Sequence, residues 1–157
     1  MKIALRKVTK NERMSEETYC FSADVWIDGA KAGEVSNRGC GGPNDYHPTS
    51  LWQRLEEHAK TLPPVVSKYT DDTFPSTADI VIGDLLELEL ARKDAKRAMS
   101  GKILFTKVGK AGIWGMKKPA GCTDDTIRTF AAKAKGIDRV LNLLPLDEAV
   151  ALYRSAA

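Results

Sequence analysis

Tyr19, Phe21, Ala23, Val25 and Ile27 alternate with Cys20, Ser22, Asp24, Trp26 and Asp28, a period of two that is the strongest pattern in the chain. One apolar face and one polar face predict a half-buried antiparallel strand. Asp28-Gly29 supplies the positive-φ pair of a tight hairpin turn, and residues 30–36 read as the returning strand. Residues 3–8 read as an earlier strand with Ile3 and Leu5 on one face, and residues 11–18 as a polar loop. The first third is thus predicted as a three-stranded meander ending in a glycine-dense connection.

Beyond it the period becomes helical. Leu51, Leu55, His58 and Leu62 share a face, Ser50 and Gln53 have capping-box spacing, and Pro63-Pro64 ends the run. His58 on that apolar face reads as a packed residue. After a connector over 65–75, the longest helix is predicted over 76–100, capped by Ser76 with Asp79 three residues on. Its stripe is Val81, Leu85, Leu88, Ala95 and Met99, widened by Ile82 and Leu86, and Gly101 fits a left-handed closing residue. Residues 102–108 and 113–118 predict a second hairpin around 109–112. Thr123-Asp124-Asp125 opens a third helix that Gly136 stops. Residues 139–144 read as a short buried strand, and residues 145–156 as a last helix.

The order βββ-αα-ββ-α-β-α predicts an α+β fold: a mainly antiparallel sheet, the meander plus the second hairpin, with about four helices packed on it. The chain has 157 residues, with no internal repeat, low-complexity tract or long linker. Its length predicts a single domain over 1–157.

Composition narrows the class. An apolar fraction of 43% and a charged fraction of 29% are those of a globular protein rather than a disordered one. No run approaches the roughly 18 apolar residues of a membrane span, and charge follows residues 1–6 where a signal peptide would have an apolar core. Cys20, Cys40 and Cys122 are an odd number without metal-like spacing, and with no export signal read, reduced thiols and a cytoplasmic location are expected. The net charge of +3 is too small to argue nucleic-acid binding alone. Its distribution says more. Residues 51–92 hold four Lys/Arg against eight Asp/Glu, whereas residues 93–140 hold twelve against four. That basic stretch is a candidate anion-facing surface, although part of the switch follows a helix that is acidic first and basic last, as its dipole favours.

Two segments are candidate sites. The first is Asn37-x-Gly39-x-Gly41-Gly42 with Pro43-Asn44-Asp45-Tyr46-His47-Pro48 behind it. It is neither the dinucleotide fingerprint nor a Walker loop, since no Gly-Lys-Ser/Thr follows. Amides of residues 39–42 beside Arg38 suit a phosphate, with His47 as acid–base oriented by Asp45: a nucleotide- or phosphate-binding enzyme or sensor. The competing reading is a bulged turn that lets another segment pack closely. A Cys40–His47 nucleophile–base pair is disfavoured, because such partners normally come from separate segments. The two histidines and three cysteines show no paired ligand spacing, so neither a metal nor a cofactor is expected. Asp71-Asp72 lies in the connector and Asp124-Asp125 opens a helix, so neither reads as a catalytic dyad.

The second is the basic hairpin. Lys102, Lys107, Lys110, Lys117 and Lys118 surround Phe105 and Trp114, with Lys93, Lys96 and Arg97 upstream. Lysines around an aromatic suit a phosphate backbone and a stacked base, so nucleic acid through residues 93–118 is one partner class. An acidic protein surface is the other. Alternation puts Ile103, Phe105 and Lys107 on one side and Leu104 and Val108 on the other, so the aromatics also fit a core. Lysines at a strand edge also deter sheet-to-sheet aggregation.

Phe21-Ser22-Ala23-Asp24-Val25-Trp26-Ile27-Asp28-Gly29, with Gly33 and the glycine loop after it, resembles the opening of small uncharacterised proteins of bacteria and their phages. Leu141-Asn142-Leu143-Leu144-Pro145-Leu146-Asp147-Glu148-Ala149 is similar to their ends. The resemblance carries over no functional residue and implies an accessory protein of a phage or mobile element that binds host machinery. The leading reading is a non-enzymatic binding protein with a protein partner, its oligomeric state left open. Arg38, Lys107, Lys110 and Lys117 would supply charge, and Asn44 and Tyr46 hydrogen bonds. Gly39, Gly41, Gly42 and His47 complete the loop, and Trp114 is the anchor, a residue type that often dominates interfaces.

Overall fold

The computed structural model describes residues 1–67, 70 and 72–155, and the chain divides into two compact units, Met1–Glu89 and Leu90–Ala157. The first contains an antiparallel sheet in the order β1 (Ile3–Lys10), β2 (Cys20–Ile27), β3 (Ala30–Arg38) and β4 (Asp45–His47). Phe21, Ala23, Val25 and Ile27 of β2 are buried, as their alternation predicts, whereas Tyr19 precedes the strand and is exposed, and Asp24 of the polar face is buried with its lysine partners. Asp28 and Gly29 make the turn with φ of 50° and 89°. The predicted meander gains a fourth strand, since β4 pairs Glu34 with His47, Val35 with Tyr46 and Ser36 with Asp45. Three residues between Pro43 and Pro48 are too few to show a period.

Helix α1 (Thr49–Ala59) starts one residue before the expected cap, so Ser50 lies inside it. Pro48 is the N-cap and offers no side-chain bond; its carbonyl accepts from Leu51 N at 2.9 Å. Leu51, Leu55 and Ala59 form the buried face, whereas Leu62 lies beyond the helix and is exposed. His58 is half-buried. Gly33 of β3 passes so close beneath this helix that a Cβ there would stand 2.9 Å from Leu51 Cδ2. The connector holds a two-stranded ladder, β5 (Val65–Val66) with β6 (Thr73–Phe74). Asp71 of the acidic pair lies outside the described residues.

Helix α2 (Ala78–Gly101) begins in the first unit and ends in the second. Its cap is Thr77 rather than Ser76: Thr77 Oγ1 accepts from Ile80 N at 3.3 Å, and its carbonyl accepts from Val81 N. Ser76 is buried and donates instead to the Pro63 carbonyl at 2.7 Å. Ala78 N donates to the Glu56 carboxylate at 2.8 Å, a negative charge where the helix dipole favours one. Ala78, Ile82 and Leu86 are fully buried; Val81 and Leu85, expected in the stripe, are half-buried beside them. Gly101 is the last helical residue, without the expected left-handed φ, and the chain enters β7 at Lys102 directly.

The second unit holds an antiparallel sheet in the order β8 (Lys110–Lys117), β7 (Lys102–Lys107) and β9 (Ile137–Val140). The hairpin turn is Val108-Gly109, tighter than the expected 109–112, because Lys107 already pairs with Lys110. Helix α3 (Asp124–Lys133) has the Thr123–Thr126 capping box, and Gly136 after it takes φ 83°. The strand expected over 139–144 ends at Val140; residues Leu141–Leu143 turn as a 3-10 helix before α4 (Leu146–Ser155). Ile103, Phe105, Ile127 and Val140 form one core with Phe130 against it, on the α3 face. Leu104, Leu141 and Ala149 form the other, with Met99, Ile113 and Leu152 against it, on the α4 face. The chain is therefore α+β, four α-helices with antiparallel sheets. Among the described residues, no helix is long and apolar enough to cross a membrane.

Candidate functional site

The glycine loop is organised by Asn37, whose side chain is buried at the end of β3. Its Oδ1 accepts from Thr18 Oγ1 and Gly39 N, both at 2.9 Å. Its Nδ2 donates to the Gly42 carbonyl at 3.3 Å, the Pro43 carbonyl at 3.4 Å and Asn44 Oδ1 at 3.1 Å. One side chain thus ties the two ends of the loop and the 11–18 segment together. Gly39 faces that segment closely. Its carbonyl accepts from Glu16 N at 2.9 Å, Glu17 N at 3.0 Å and Thr18 N at 3.3 Å. A Cβ on Gly39 would overlap the Met14 carbonyl and stand 2.9 Å from Cys20 Cβ, at φ 86°. This is the close approach for which glycine is needed.

Beside the loop is a cavity of about 560 Å³, lined by Tyr19, Phe21 and Leu86 on its apolar side and by Glu16, Glu17 and Asp79 on its polar side. Among the described residues, no Lys, Arg or His lines it, and the Glu17 carboxylate sits where a Cβ of Gly41 would be. Three carboxylates without a cation repel a phosphate. Gly42 has open space around it, and Arg38 is exposed.

Asn44 and Tyr46 spend their hydrogen bonds internally. Asp79 Oδ1 accepts from Tyr46 Oη at 2.7 Å, Asn44 Nδ2 at 2.8 Å and Asn44 N at 3.3 Å. The residue expected in a capping box instead fastens β4 to α2. Burial, followed by the neighbouring Asp79 and Glu56 carboxylates, pushes the Tyr46 phenol well above its ordinary value; the Asn44 amide opposes them. His47 and Asp45 are exposed on β4 and line a second groove of about 440 Å³ with Lys7, Asp24 and Glu34. No hydrogen bond joins Asp45 to His47 among the described residues. Asp24 is gripped there by Lys31 at 2.8 Å and Lys7 at 3.3 Å, and the Lys31 bond is the main cause holding its carboxyl below the ordinary range. Among the described residues, no three His, Cys, Asp or Glu side chains are grouped to hold a metal.

In the second unit, Phe105 is core, its ring 5.9 Å from Phe130. Trp114 lies opposite it on β8 and remains 42% exposed, with Met116 close behind at 38%. Lys107 Nζ rests 3.8 Å from the Trp114 ring centroid, so the protein's own ammonium engages the indole π-system that a base would need. Lys102 lies directly opposite Lys117, and Lys107 opposite Lys110. None of Lys102, Lys110, Lys117 or Lys118 reaches a carboxylate among the described residues. Like charges directly opposite each other destabilise a ladder, and Lys107 turns its ammonium onto the Trp114 ring.

Asn142 is a residue that the sequence did not single out. Its Oδ1 accepts from Leu104 N at 2.8 Å, while Nδ2 donates to the Lys102 carbonyl at 3.0 Å and the Met99 carbonyl at 3.1 Å. It closes the β9 side of β7 where that strand has stopped. Compared with known proteins, the chain matches no family model, no curated protein and no solved structure.

Proposed function

We propose that this chain is a non-enzymatic binding protein that presents the basic hairpin of its second unit to a protein partner with an acidic surface. The observation that carries this reading is the pair of facing lysine couples, Lys102 with Lys117 and Lys107 with Lys110, at the two ends of one hairpin. Trp114 and Met116, between them along β8 but on the face opposite the Lys102–Lys117 couple, are exposed and add apolar contact of the kind that anchors interfaces. The resemblance to small proteins of bacteria and their phages makes a host protein the first place to look. The test is co-purification from native lysate of the wild type and of Lys110→Glu/Lys117→Glu, with mass spectrometry and nuclease treatment. Loss of a nuclease-resistant partner in the variant supports the reading. Retention of every captured protein in the variant rejects it, and capture abolished by nuclease replaces it with nucleic acid.

A further inference from the structure

Resting on that reading, we infer that β8 receives its partner as an added strand: an acidic protein segment in extended conformation that becomes the fourth strand of the second unit's sheet. The order β8-β7-β9 leaves β8 at an edge. Hydrogen-bonded and non-hydrogen-bonded pairs alternate along an antiparallel ladder, and two observations fix the phase. Lys118 N donates to the Gly101 carbonyl at 3.0 Å, which makes that pair a bonded one. The carbonyl of Lys102 and the amide of Leu104 point the other way, to the Asn142 side chain. The Lys102–Lys117 and Leu104–Gly115 pairs are therefore the non-bonded ones. Residues 113, 115 and 117 of β8 accordingly turn their amides and carbonyls outward, where an incoming backbone can pair with them.

The edge is built for approach. β8 spans eight residues without proline, regular from Trp114 to Lys117 beyond a register shift at Gly112; Gly115 is exposed, and a Cβ there would stand 3.0 Å from Leu104 Cδ2 on the face of the sheet, not at its edge. The other edge of the sheet differs: β9 has four residues, and Asn142 continues its role. Lysines along an open edge repel a second copy of the same edge, which selects an acidic strand over self-association. The two faces also specify the segment. Lys117 lies on the Leu104 face, while Trp114 and Met116 lie on the face of Ile103 and Phe105. A complementary strand alternates, with acidic side chains beside Lys117 and apolar ones beside Trp114 and Met116.

The probe is an acetylated peptide alternating Glu with Val, matched to the eight residues of β8, its binding followed by fluorescence anisotropy. Its fully backbone-N-methylated counterpart keeps every charge and side chain, and single-stranded DNA of equal charge is the third probe. The expected result is binding of the peptide with at least about a tenfold loss on N-methylation. Gly115→Pro, checked for folding by circular dichroism, should weaken the peptide similarly and leave DNA binding unchanged. Equal affinity for the two peptides, preference for DNA, or a peptide Kd weaker than about 1 mM overturns strand addition. If Lys110→Glu/Lys117→Glu still removes a lysate partner in that case, the basic-surface reading survives alone; if it removes none, both fail.

Discussion

Replacing Asn37 by Ala removes the side chain that closes the glycine loop, and the cost follows from its contacts. Three of its five hydrogen bonds are short: two accepted at 2.9 Å, from Thr18 Oγ1 and Gly39 N, and one donated at 3.1 Å to Asn44 Oδ1. Each such bond contributes about 1 kcal/mol net, and a buried partner left without one adds to the loss, so about 3 kcal/mol is expected. In a unit of this size that corresponds to a melting shift of roughly 15 °C. Urea unfolding followed by tryptophan fluorescence measures it, in a Trp114→Phe background so that Trp26 and Trp52 report the first unit. Asn37→Asp is the informative companion. It keeps the acceptor but turns an anionic oxygen toward the Gly42 and Pro43 carbonyls and Asn44 Oδ1, so it should be no more stable than the alanine variant. A loss below about 0.5 kcal/mol for Asn37→Ala, the scale of an unremarkable surface change, would refute Asn37 as the organiser.

Other expectations follow from the same geometry. Gly39→Ala should destabilise by more than about 1 kcal/mol, since its methyl meets Met14 and Cys20 at a left-handed φ; chemical denaturation checks this. Asn142→Ala should lower second-unit stability by about 2–3 kcal/mol and accelerate exchange of the Leu104 amide. Asp24, with its carboxyl held low by Lys31, contributes stability that is present above the ordinary carboxylate value and lost as pH falls through its depressed one. Acid titrations of Asp24→Asn should lack that part of the fall. Tyr46, with its phenol held protonated, contributes stability present below the ordinary value of 10.0 and lost as pH rises through its raised one. Tyr46→Phe should be less stable at neutral pH, without the Asp79 bond, and flatter on the alkaline side.

Local chemistry was legible where one segment carries the whole signal. The apolar face of β2, the Asp28-Gly29 turn and the helix start at Thr123-Asp124-Asp125 all belong to single windows of sequence and form there, whereas Asp24, on the polar face of β2, is buried by lysines that sequence spacing does not place. The α2 cap missed by one position because Ser76 and Thr77 are both hydroxyl residues, and only tertiary structure decides which one turns to the Pro63 carbonyl. Asp79 looked like a capping partner until β4 brought Asn44 and Tyr46 to it across more than thirty residues. The same limit applies to the loop. Glycines and a nearby arginine suggest an anion cradle, but Glu16 and Glu17 arrive from the segment before β2 and reverse the local charge. Asn142 stood unmarked inside an apolar run because its partners, Met99, Lys102 and Leu104, lie about forty residues earlier.

Amide exchange along β8, followed residue by residue by NMR with and without the alternating Glu–Val peptide, tests strand addition most directly. In the free protein the amides of Trp114 and Met116 should be protected by β7 and that of Lys118 by the Gly101 carbonyl, while those of Ile113, Gly115 and Lys117 exchange fast. Peptide should slow the second set specifically, with the effect lost in Lys110→Glu/Lys117→Glu. Fast exchange at Ile113, Gly115 and Lys117 under saturating peptide would contradict it.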